Sequence, residues 1–302
     1  MLTRRRGARS LSGVAWGLLL AGVSACGLAQ SEAPRSTGSA SSENAETTES
    51  PDPSDSDDAK SAVRRALARW MKADTAVFTQ TTTFPGGSMT TSGAYQMSTR
   101  TSRASVAVES PDGQHFDFRL IGIRDVNYMN GPWSGGLGRC WLRSTVESIG
   151  RVTGLETVAG AGGLPANVVA LSYARGTRTS LDDADLVLGT VDLVSSASMF
   201  GSGVLKLFDD NTLTAPIAAE FTIEDGEIVS WRITGQSLVA ALDREGVLAG
   251  RDDELREGLE EFDVEVDYHQ VGSAEVAVRP PDRAHLMSGE QLESSEGCAA
   301  AR

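Results

Sequence analysis

Four stretches of this 302-residue chain alternate apolar and polar side chains with a period of two. Phe116, Phe118 and Leu120 alternate with His115, Asp117 and Arg119. Ile217, Ala219, Phe221 and Ile223 alternate with Ala218, Glu220, Thr222 and Glu224. Val229, Trp231 and Ile233 alternate with Ile228, Ser230, Arg232 and Thr234, and Phe262, Val264, Val266 and Tyr268 with Asp263, Glu265, Asp267 and His269. A strand sends successive side chains to opposite faces, so each stretch predicts a strand with one buried and one wet face. That is the pattern of antiparallel sheets and not of parallel sheets buried on both sides.

Turn chemistry supports the same class. Glu224-Asp225-Gly226-Glu227 is a hairpin signal between two of the strands, and Pro111-Asp112-Gly113 joins Ser105–Glu109 to His115–Ile121. Asn130-Gly131-Pro132 ends a strand over Asp125–Asn130. Weaker strands fall at Ala76–Phe84 and Thr90–Met97, and a further strand follows Gly272. Helical spacing of Ala62, Val63, Ala66, Leu67 and Trp70 predicts a short helix from Asp58, capped by Asp57 or Asp58. Leu164–Arg175 reads as a second helix stopped by Gly176. Val194–Phe208 reads as a third, weakened by Gly201 and Gly203, and a short one follows Ser237. The expected class is therefore α+β and β-dominated: one large sheet that curls, with a few helices packed in its concave face.

The termini differ from this middle. Residues 1–25 hold Arg4, Arg5, Arg6 and Arg9 and no acid, then an apolar run from Leu11 to Ala25, as an export signal does. Val23-Ser24-Ala25-Cys26 resembles a bacterial lipobox, which implies diacylglyceryl transfer to Cys26 and cleavage before it. An ordinary secretory signal with a coincidental cysteine is the alternative. Residues 26–58 carry eight acids against Arg35 alone and have little to bury, which predicts a disordered acidic tether. The expected organisation is a signal peptide over 1–25, the lipidated tether over 26–58, a folded domain over 59–285 and a polar tail over 286–302.

Between tether and tail, the segments "TTSGAYQM", "DFRLIGIRDVNYMNGPW", "APIAAEFTIEDGEIVSWRI" and "FDVEVDYHQVGSAEVAVRPP" resemble the actinobacterial LppX/LprG group of lipoproteins, within the LolA-like superfamily. The similarity is carried by Tyr128 and Trp133, by the acidic hairpin with Gly226 and Trp231, and by the strand–Gly272–strand–Pro280 close. It implies a curved antiparallel half-barrel enclosing an apolar cavity for acyl chains, and a role in carrying or presenting lipids at the cell envelope. Phe116, Phe118, Leu120, Phe221, Ile223, Trp231 and Ile233 are the candidates to line it, although each also reads as plain core.

The residues supply no catalytic pattern. His115 and His269 fall on wet strand faces and His285 in the tail, and no zinc, Cys-x-x-Cys, nucleophile-elbow or Walker signature is present. Asp182-Asp183-x-Asp185 and Asp252-Asp253-Glu254 lack the spacing of a calcium loop and read as solvated helix starts. Gly135-Gly136-x-Gly138 reads as a loop. No cofactor or metal is expected. After Cys26, Cys140 and Cys298 are left to face an oxidising exterior; they pair, with roughly 4–5 kcal/mol of loop-closure stabilisation, or remain two free thiols. A formal net charge of −14 excludes a broad nucleic-acid surface and argues against holding the domain on anionic headgroups by charge, leaving that task to the acyl anchor. The expected partners are an acyl-chain-containing lipid or lipoglycan, the membrane through the N-terminal anchor, and an envelope protein if the fold serves as a sensor or adaptor instead.

Overall fold

The computed structural model describes residues 53–131, 140–144, 163–180, 183, 185–197, 199–200, 204, 215–282 and 286–287. The signal and lipobox residues, Trp133, the Gly135–Gly138 loop, Gly201, Gly203, His285 and Cys298 lie outside them.

Helix α1 (Pro53–Ala73) leads into five strands in meander order: β1 (Thr75–Phe84), β2 (Gly87–Gln96), β3 (Thr101–Glu109), β4 (His115–Ile123) and β5 (Val126–Asn130). Strand β6 (Trp141–Ser144) and helix α2 (Ala166–Leu171) follow, then β7 (Arg175–Thr179), β8 (Leu186–Asp192) and helix α3 (Leu193–Ala197). The chain continues through β9 (Pro216–Glu224), β10 (Glu227–Thr234), helices α4 (Gly235–Arg244) and α5 (Asp253–Glu260), β11 (Asp263–His269) and β12 (Leu286–Met287). All twelve strands join one sheet in the order β12-β6-β5-β4-β3-β2-β1-β11-β10-β9-β8-β7. The order is linear, so the sheet is open, as a half-barrel is. Its neighbours run antiparallel except β12, which lies parallel to β6.

One face of the sheet carries the core. Phe78, Tyr95, Val187, Ile217, Phe221, Trp231, Val264 and Tyr268 project from it into a cluster that takes in side chains of all five helices. The stripe Ala59, Val63, Ala66 and Trp70 places α1 against this face, with Trp70 wedged between the rings of Tyr95 and Tyr268, 5.8 Å from each. The opposite face is polar; there Arg232 grips Asp263 through two nitrogens at 2.9 and 2.5 Å. The Asp225-Gly226 turn has both residues at positive φ (50° and 77°), the geometry that lets β9 and β10 keep their twist across a two-residue loop.

Several sequence expectations change. Helix α1 begins at Pro53, ahead of the Asp57 or Asp58 cap. The helix expected over 164–175 covers only Ala166–Leu171, and strands β7 and β8 occupy positions read as helix and connection. The strand expected directly after Gly272 is absent from residues 273–282: β11 already has β1 on one side and β10 on the other, so no edge beside it is free for a returning strand. A β-bulge between Ile228 and Ser230 turns Ile228 into the core and leaves Val229 partly exposed. Asp252 is the N-cap of α5, with Asp253 and Glu254 in its first turn, as a solvated helix start requires. Asp183 instead turns the chain into β8, accepting from the Asp185 amide at 3.0 Å.

Candidate functional site

Register places three rows of side chains across the inner face of β1–β5. Gln80, Thr91, Val106 and Phe118 form one row, and Phe78, Gly93, Ala104, Leu120 and Met129 the next. Ala76, Tyr95, Ser102, Gly122 and Asn127 form the third. The middle row is low at its centre because Gly93 and Ala104 supply almost no side chain. A Cβ on Gly93 would fall 2.9 Å from the Phe78 ring.

The segment entering α2 lies over this low ground. Ser102 Oγ donates to the Gly163 carbonyl at 2.7 Å, and only a glycine at 122 admits that carbonyl, since a Cβ there would sit 2.6 Å from it. Beneath Leu164 and Pro165 a cavity of about 20 Å3 remains, floored by Phe78, Ala104, Leu120 and Gly122. That is room for about one water. Ser102, Thr91 and Asn127 complete its lining, the last two buried. Thr91 Oγ1 and Asn127 Nδ2 have no hydrogen-bond partner, so the cavity offers two unsatisfied polar atoms above an apolar floor.

A second polar feature fastens α2 beside it. Asn167 Nδ2 donates to Gln80 Oε1 (3.1 Å), Gln80 Nε2 to Thr82 Oγ1 (3.2 Å), and Thr82 Oγ1 to the Met199 carbonyl (3.3 Å), all inside the core.

Of the seven residues expected to line a cavity, Leu120 lines this one. Phe118 and Leu120 are buried with Phe84, Met89, Val106 and Met129 in a small cluster, and Phe116 packs on it half-buried. Phe221, Trp231 and Ile233 are buried in the main core, where Ile223 is partly covered. The structure thus divides the seven between two clusters, with Ala104 and Phe262 touching both. The sequence reading missed the floor and lid residues Phe78, Ala104, Leu164 and Pro165, and the polar pair Thr91 and Asn127. Small residues at alternate positions of one strand, Ser102 and Ala104, were the available signal.

Chemistry at the buried end is quiet. Burial pushes the hydroxyls of Tyr95 and Tyr268 well above the ordinary phenol range, so both stay protonated; Trp231 Nε1 donates to Tyr268 at 3.3 Å. Among the described residues, no three His, Cys, Asp or Glu side chains are grouped to hold a metal ion. His115 and His269 are both exposed on the outer face, His115 Nε2 lying 3.2 Å from Asp117. No described helix is long and apolar enough to cross a membrane.

No protein-family model matches the chain, and no curated protein does. Among solved structures it is similar to the crystal structure of LprF from Mycobacterium bovis, with 14% identity and a TM-score of 0.42, over 75% of this chain and 98% of that one. At that distance the likeness assigns neither ligand nor activity.

Proposed function

We propose that the chain is a non-enzymatic carrier or presenter of an acyl-chain-containing lipid or lipoglycan. In this reading Cys26 is lipidated and holds the domain on the extracytoplasmic face of the cell membrane, with 27–52 as spacer. The observation that carries the proposal is the cavity under Leu164 and Pro165. It has an apolar floor, unsatisfied polar atoms in its lining, and a lid attached to an open sheet. Burying an acyl chain contributes about 0.8 kcal/mol per methylene, which supplies the driving force. A space the size of one water does not hold a chain, so loading requires the α2 segment to lift from the sheet. The Ser102–Gly163 hydrogen bond is what such a movement would break.

Native mass spectrometry of residues 26–302 carrying Cys26→Ser, which retain the whole described fold, tests this. An amphiphile should co-purify or be taken up from added phospholipid. Ala104→Leu, which fills the floor at a cost of about 1–3 kcal/mol in overpacking, should lower its occupancy while the sheet stays folded. An apo mass with no uptake from phospholipid or lipoglycan overturns the carrier reading and leaves the envelope sensor or adaptor.

A further inference from the structure

The exposed side of α1 carries a charge pattern that the chain average conceals. Residues 59–73 contain Lys60, Arg64, Arg65, Arg69 and Lys72 and no acid, in a chain of net charge −14. Their placement follows from the helix period. Ala59, Val63, Ala66 and Trp70 are buried, so Arg64, Arg65, Ala68, Met71 and Lys72 are turned outward, and all five are exposed.

The packing of α1 fixes which of its sides is free. Gly176 of β7 lies against the Ala59 carbonyl and the Val63 side chain, seating the first half of α1 on the edge strand of the sheet. Strand β7 also carries Arg175 and Arg178, both exposed, but Gly176 is the residue that faces α1, and these two pair with Thr190 and Leu188 on the opposite face of the sheet. Within this pair of elements, Lys60 lies 3.5 Å from Asp57 in an exposed pair that contributes little. Arg69 is committed to the Asp225 carbonyl at 2.7 Å. Arg64, Arg65 and Lys72 form no ion pair among the described residues. Two of the most exposed large apolar side chains, Met71 and Tyr173 (each 55% exposed), belong to α1 and to the turn entering β7. Cations interleaved with exposed amphipathic side chains are what a lipid headgroup surface takes up.

We propose that the exposed side of α1 forms a docking face for an anionic lipid bilayer. The chain outside the described fold argues for the same occupant. Residues 27–52 enter at α1, so a lipid anchor at Cys26 would tether the fold through this helix; the inference rests on the anchored reading in that respect only. The tether's own acids are repelled by the same headgroups, so the bilayer meets the helix and not the spacer. Net charge argues against holding the whole domain on anionic headgroups; the proposed contact is local to α1.

The test uses residues 26–302 with Cys26→Ser, so that no acyl chain contributes. Vesicles of phosphatidylcholine are compared with and without phosphatidylglycerol, at low and high salt. The protein should sediment with the anionic vesicles, and salt should release it. Arg64→Gln/Arg65→Gln/Lys72→Gln should weaken binding on the order of a hundredfold. A control triple of exposed arginines outside α1, Arg103→Gln/Arg119→Gln/Arg279→Gln, an equal change in net charge, should leave it unchanged. Circular dichroism confirms that both variants keep the sheet. Equal loss in both triples, or adsorption indifferent to salt, overturns the proposal. So does binding that appears only after Glu32, Glu43, Glu46 and Glu49 are changed to Gln, which would make the chain's own acidic segment the occupant. An amphiphile retained by the α1 triple separates this result from the carrier reading: vesicle binding without any amphiphile sinks the carrier alone, and the reverse sinks the docking face alone.

Discussion

Asn167 is fully buried in α2, and its hydrogen bond to Gln80 is the inner end of the ladder that ties that helix to β1. Such polar residues also explain why β1 and β2 were faint in the sequence. Their core-facing positions include Gln80, Thr82 and Thr91, so apolar alternation fails where the strands are most buried, whereas β9 and β11 alternate cleanly. At Gln80 and Thr82 the polarity is compensated by hydrogen bonds to other elements, which no single-strand pattern can display. Asn167→Leu should cost about 1–3 kcal/mol because Gln80 Oε1 loses its donor in a dry core. Adding Gln80→Leu should return part of that loss, since the stranded acceptor goes with it. Urea denaturation of the two single variants and the double closes the cycle; strictly additive losses would show that the ladder is not coupled.

Helix α1 and strand β7 were legible to different degrees. The apolar spacing of α1 announced a helix, but Arg175–Thr179 has one buried position out of five, and that one is a glycine, so no alternation was there to read. The buried glycine is what the pairing requires. A Cβ on Gly176 would strike the backbone carbonyl of Ala59 and approach the Val63 side chain to 3.0 Å, and a backbone atom cannot turn aside. Gly176→Ala should therefore lift α1 from the sheet edge and cost about 1–3 kcal/mol, as overpacking does. Gly258→Ala is the matched control. It lies inside α5 with only Pro85 near its Cβ, at 3.9 Å, and should stabilise by about 0.5–1 kcal/mol through helix propensity. If thermal melts show the two substitutions shifting stability alike, close packing of α1 on β7 is not what Gly176 provides.

At the scale of the molecule, the β-dominated class with one large antiparallel sheet could be read from the sequence because it depends on strand period and turn type. The site could not, because it is made by the register of five strands and by the segment that enters α2. What closes the sheet's other edge depends on residues still farther apart. Leu286 and Met287 lie parallel to Trp141 and Leu142, so the chain after residue 282 returns to the strand that Cys140 precedes. A two-residue strand at an edge holds poorly by its own hydrogen bonds, and an exposed edge invites pairing with other chains. We propose that Cys140–Cys298 supplies the missing restraint; Cys140 is buried and disulfide-bonded, which supports the pairing. The bond would close most of the chain into one loop, worth roughly 4–5 kcal/mol in the chain-entropy account. Thiol titration of residues 26–302 with Cys26→Ser, denatured without reductant, should then find no free sulfhydryl. Cys298→Ser should lower stability by that order and speed amide exchange first at Trp141–Ser144, while β9–β11 keep their protection. Two free thiols, or exchange that quickens uniformly across the sheet, would remove the bond from the account of how this edge is held.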